Sequence, residues 1–216
     1  MIQSTILQQT IDYVKETLSS AEGGHDWFHI DRVWKNARQI ARTENVDMEI
    51  VELAALLHDI ADSKFHGGDE EIGPRTAQRF LEEKDYLAER TAHVVNIVRH
   101  ISFKGGKEAV VFSSPELQVV QDADRLDAIG AIGIARAFHY GGFKGRALYD
   151  PAIPPNLNMT KEEYKSSPAP TINHFYEKLL LLADLMNTET GRQMAMERHR
   201  FMETFLEQFY KEWEGR

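Results

Sequence analysis

An all-α fold is predicted for the 216-residue chain by three features. Apolar residues recur at helical spacing through most of the sequence, Gly, Pro, Ser or Asp punctuate the gaps, and no clear run of strands interrupts the pattern. The length suits one domain over residues 1–216, a compact multi-helix bundle large enough to bury its core without staples.

In chain order, Ile2, Ile6, Leu7, Ile11, Val14 and Leu18 mark an amphipathic first helix that Ser19-Ser20 and Gly23-Gly24 close. Asp26 is placed to cap a second helix running through Ala37, Ile40 and Ala41 to about Thr43, with His29 in its first turn. A short link, Glu44 to Asp47, leads into a central helix from about Met48 to Asp62. Pro74 suits the first turn of a helix to about Lys84, and another is expected from Tyr86 to His100. Pro115 opens a strongly apolar helix through Leu126, Ile129, Ile132 and Ile134. From Phe138 to about Pro170 the pattern dissolves into Tyr140-Gly141-Gly142 and a proline-rich run; a connection this long is more often a functional lid than a plain link. Helical character returns at Ile172 to Met186 and at Gly191 to about Trp213. There Phe201, Phe205 and Phe209 make one stripe, read as core, with a homo-oligomer contact as the alternative.

The 25 Lys and Arg against 34 Asp and Glu give a net charge of −9, which argues against a grip on long nucleic acid. A small phosphorylated ligand stays open, because it needs only a local cluster of cations beside a metal. The chain has no cysteine, so disulfides, thiolate metal sites and a cysteine nucleophile are excluded. No stretch approaches a membrane span and the N-terminus lacks a leader pattern, so a cytoplasmic protein is expected.

The central helix poses the chemical question. It is apolar on nearly every side, yet it ends by carrying His58, Asp59, Asp62 and Lys64 into that environment. A divalent metal ion is a candidate to compensate the charges. Helix geometry adds a constraint: in an antiparallel pair across the Glu44–Asp47 link, His29 lies roughly 21 Å from the turn and His58 roughly 15 Å. Both then project at a similar level, within side-chain reach.

His29, the adjacent pair His58-Asp59 and the distant Asp124 together resemble the signature of the HD-domain metal-dependent phosphohydrolase superfamily. The motifs His25-Asp26-Trp27-Phe28-His29, His58 through Phe65 and Tyr140-Gly141-Gly142 extend the resemblance to a bacterial subgroup similar to the YpgQ and YedJ proteins. The resemblance covers about residues 20–140. It implies His29, His58, Asp59 and Asp124 as ligands to one divalent ion, with Mn²⁺ favoured and Mg²⁺, Fe²⁺, Co²⁺ or Ni²⁺ admissible by ligand type. Among the aspartates at 122, 124 and 127, it selects Asp124 and leaves Asp127 as a supporting or ion-pairing residue.

Asp62 lies three residues past Asp59, on the same side if the helix continues, and the resemblance suggests it as general acid or base; the alternative is an exposed aspartate at a helix end. Lys64, His100, Lys104, Lys144 and Arg146 are candidates to neutralise substrate phosphates, each with an ordinary surface or capping role as the alternative. The implied activity is hydrolysis of a small phosphorylated metabolite, most specifically a nucleoside triphosphate to monophosphate and pyrophosphate, by metal-bound hydroxide attacking phosphorus. A nucleoside 5′-monophosphatase or cyclic-nucleotide phosphodiesterase is the near alternative. A di-iron oxygenase would need further ligands that the spacing of His93 and His100 does not supply, and a non-catalytic nucleotide-sensing module is the remaining reading.

Overall fold

A computed structural model of the chain describes residues 5–19, 26–61, 67–101, 112–160, 163 and 167–216. These residues hold nine α-helices and no strand, and none of the helices is long and apolar enough to cross a membrane. The chain forms two compact units, Met1–Asp124 and Arg125–Arg216.

The first unit contains α1 (Ile6–Thr17), α2 (Trp27–Ala41), α3 (Met48–Leu57), α4 (Ile72–Glu83), α5 (Ala88–His100) and most of α6 (Pro115–Asp127). The starts of α2 and α3 are set by aspartate caps. Asp26 Oδ1 accepts from the His29 N–H at 3.0 Å, and Asp47 Oδ1 accepts from the N–H groups of Glu49 and Ile50. Each satisfies helix-end donors that water would otherwise have to reach, and is worth about 1 kcal/mol. Asp47 also takes both Arg90 guanidinium nitrogens, at 2.7 and 2.9 Å, and this hydrogen bonding holds its carboxyl below the usual range against the opposing effect of burial.

α2 and α3 run antiparallel, with Trp34 Nε1 donating to Glu52 Oε1 at 3.1 Å and Arg38 on the same carboxylate at 3.0 Å. Val51, Leu53, Ala54, Ala55, Leu56 and Leu57 are all fully buried, so α3 is the central helix of its unit. It is shorter than its apolar pattern suggests. The helix stops at Leu57, with His58 as its C-cap and residues 59–61 in a turn.

In the second unit, α7 (Gly130–Phe143) is separate from α6, where one continuous helix is predicted from Pro115. The break falls at Gly130, whose φ of +74° is accessible to glycine at little cost and interrupts right-handed helix. α7 then continues through Tyr140-Gly141-Gly142, which sequence alone reads as irregular. Packing explains this: a β-carbon at Gly141 would lie 2.1 Å from Thr171 Oγ1, so the helix passes the start of α8 (Thr171–Glu177) only without a side chain. Gly141→Ala is expected to cost about 1–3 kcal/mol of stability, partly recovered by Thr171→Ala in the double variant, as read by chemical denaturation.

Beyond α8 the expected helix to Met186 gives way to two 3₁₀ turns, Leu179–Leu181 and Ala183–Leu185, before α9 (Glu189–Trp213). Phe205 and Phe209 of α9 meet Phe138, with ring centroids at 5.9 and 6.5 Å, and Phe205 stacks on the buried Phe175. Phe201, assigned to the same stripe, is instead half exposed.

His174 of α8 has its pKa lowered from 6.5 to about 4, first by burial and then by the nearby charges of Lys178 and Arg146. The unfolded chain therefore binds a proton here between pH 6.5 and 4 that the folded chain refuses. Stability should be intact above pH 6.5 and decline by up to about 3 kcal/mol towards pH 4. His174→Gln should flatten this part of a denaturant midpoint-against-pH curve.

Candidate metal centre

The Asp26 cap starts α2 one turn before the buried imidazole of His29 and so sets its position. His58 closes α3 from the opposite direction, its side chain only 5% exposed. His58 Nδ1 lies 2.8 Å from the Ala55 carbonyl oxygen, which can only accept, so Nδ1 carries the proton and the Nε2 lone pair is available. The Nε2 atoms of His29 and His58 are 3.3 Å apart.

Asp124 Oδ1 stands 3.6 Å from His29 Nε2 and 3.8 Å from His58 Nε2. A carboxylate oxygen of Asp59 joins the two imidazoles in a group whose donor atoms all lie within 4.8 Å of one another. These spacings suit a divalent ion. Bonds of about 2.0–2.2 Å place adjacent donors of an octahedron about 3 Å apart and opposite ones about 4 Å apart. The set of two nitrogens and two carboxylates is also that of a borderline or hard ion. Asp124, with 43% of its side chain exposed, forms the solvent side of an otherwise half-buried to buried group.

The neighbouring aspartates are engaged differently: Asp122 is fully buried, and the buried Asp127 pairs with Arg136. Asp62, Lys64 and Lys104, together with His25, lie outside the described residues. Because His58 to Ala61 is not helical, three-residue helical spacing no longer supports a shared face for Asp59 and Asp62.

His100 is half-buried at the end of α5, with Nδ1 donating to the Asn96 carbonyl at 2.8 Å and its ring 5.3 Å from that of Phe112. In the second unit Lys144 Nζ lies over the rings of Tyr140 and Phe143 at 5.6 and 5.3 Å. Arg146 lies over Tyr140 at 5.7 Å and donates to the Ser167 carbonyl at 2.8 Å. Of the other histidines, His93 meets Glu116 at 3.1 Å and His199 meets Glu203 at 3.5 Å. The contribution of the Ala55 carbonyl carried no sequence signal, because a backbone acceptor is present at every residue.

The chain belongs to the HD-domain metal-dependent phosphohydrolase superfamily. The HD-domain family model matches residues 27–129, which contain all four clustered donors. The relatives narrow the class. YpgQ of Bacillus subtilis strain 168 is 40% identical over 216 residues, covering 96% of this chain and 94% of YpgQ. An HD-superfamily hydrolase from Bacillus thuringiensis has a crystal structure that superimposes with a TM-score of 0.79 at 46% identity, covering 97% of each chain. The crystal structure of B. subtilis YpgQ in complex with ADP gives a TM-score of 0.76 at 37% identity, covering 95% of this chain and 94% of that one.

Proposed function

We propose that this HD-domain phosphohydrolase cleaves nucleoside triphosphates to monophosphate and pyrophosphate, with Mn²⁺ as the favoured ion held by His29, His58, Asp59 and Asp124. The convergence of two imidazoles and the Asp124 carboxylate within 3.8 Å carries the metal assignment. The ADP complex of the similar YpgQ supports a nucleotide as the ligand class.

A divalent ion bound there supplies Lewis-acid polarisation of a phosphoryl oxygen and makes a water acidic near neutral pH. The chain's own residues do the rest. The Ala55 carbonyl holds His58 in the tautomer that presents Nε2, and the Asp26 cap fixes the turn that carries His29. Asp62 takes the proton from the water that attacks the α-phosphorus; the new P–O bond forms as the α–β bridging bond breaks, and pyrophosphate leaves. Lys64, His100, Lys104, Lys144 and Arg146 neutralise the polyphosphate. Lys144 and Arg146 are suited to this because their cationic groups are already gathered around Tyr140. The continuity of α6 through Asp124 supports reading residues 1–216 as one functional domain.

The test is turnover of nucleoside triphosphates, monophosphates and cyclic nucleotides with Mn²⁺ and with Mg²⁺, with products resolved by chromatography. Equimolar monophosphate and pyrophosphate from a triphosphate is the expected result. Exclusive hydrolysis of monophosphates or cyclic nucleotides would replace the substrate assignment, and inertness towards all three would remove it.

A further inference from the structure

Two side-chain amides, one on α2 and one on α6 itself, tie the part of α6 next to Asp124 to α2 and to the end of α5. Asn36 lies two turns after His29 on α2, is buried, and donates from Nδ2 to the carbonyl oxygen of Ala123 at 3.3 Å. Ala123 immediately precedes Asp124. One turn earlier on α6, Gln121 Nε2 donates to the carbonyls of His100 and Ile101 at 3.2 and 3.4 Å, at the C-terminal end of α5.

Glu116 in the first turn of α6 pairs with His93 and accepts from the Asp47 N–H, and nearer Asp124 the helix also buries Leu117, Val119, Val120 and Ala123. Apolar burial is non-directional and tolerates rotation or axial sliding of a helix, whereas a hydrogen bond fixes both distance and angle. A carbonyl oxygen has two lone pairs, so Ala123 can accept from Asn36 without surrendering its place in the helical ladder.

We propose that Asn36 and Gln121 are positioning residues: they clamp the rotation and register of α6 so that the Asp124 carboxylate faces His29 and His58. Asn36 does so from the same helix that carries His29. The α2 ligand and the α6 ligand are thus linked by one buried amide. This inference rests on the metal reading above and assigns the affinity of that site partly to residues that touch no ion.

The experiment uses the full chain and Mn²⁺ alone. Mn²⁺ affinity is measured by calorimetry, the water count on the bound ion by proton relaxation, and thermal unfolding in the presence of chelator for wild type, Asn36→Leu and Gln121→Met. The expected result is a 10–100-fold weaker affinity in each variant, with about one more water on the ion and a nearly unchanged midpoint for the metal-free protein. An unchanged affinity and water count would overturn the proposal, as would a lowered metal-free midpoint accompanied by no change in the water count. Gln121→Met keeps the buried α2–α6 face intact, so it decides the matter if Asn36→Leu does not fold. Failure of the wild type to bind Mn²⁺ or another divalent ion would instead overturn the metal assignment itself.

Discussion

Asp124→Ala should weaken Mn²⁺ binding more than about 100-fold, a larger loss than supporting residues around metal ligands typically cause. It should leave the metal-free fold within about 1 kcal/mol of wild type. The reason is the contrast between its two environments. Its side chain is 43% exposed, so truncation opens little cavity, yet its Oδ1 is the carboxylate atom beside both Nε2 atoms. Calorimetry against Mn²⁺, paired with denaturation in chelator, separates the two effects; unchanged affinity would exclude Asp124 as a ligand. His58→Ala should differ by lowering metal-free stability as well, because its side chain is 95% buried and partners the Ala55 carbonyl.

Asp62→Asn should retain the metal and lose most turnover. The substitution keeps the size of the side chain and removes its basicity, so kcat should fall by about 10²–10⁴ with little change in Mn²⁺ affinity. Full turnover in this variant would take Asp62 out of the mechanism. A parallel loss of metal would make it a ligand instead of a proton acceptor.

The sequence was most informative where local chemistry and periodicity agreed. Asp26 followed by a helical apolar pattern located the start of α2, and a short link before a second apolar helix made an antiparallel pair bringing His29 towards His58. It was least informative where two helices abut without a polar gap. Leu126, Ile129, Ile132 and Ile134 read as one face, and the +74° φ that divides α6 from α7 at Gly130 leaves no trace in hydropathy. The end of α3 was hidden similarly: Ile60 and Ala61 prolong the apolar run past Leu57, where the helix stops with His58 as its cap. Gly141 and Gly142 signalled a loop by type, and close packing on Thr171 overrode that preference. Asn36 and Gln121 were invisible for a further reason. An amide in a helix does not reveal a partner 87 residues away, as for Asn36, or 21 and 20 residues away, as for Gln121.

The early end of α3 sets stability and activity against each other at Asp59. Its carboxylate joins the two imidazoles from a turn, not from a helix. If residues 59–61 were made helical by substitutions that favour helix, the lengthened helix would gain hydrogen bonds and Asp59 would leave the backbone conformation that brings its carboxylate to the cluster. A thermostabilised variant obtained in this way should survive heating better and hold its ion less well.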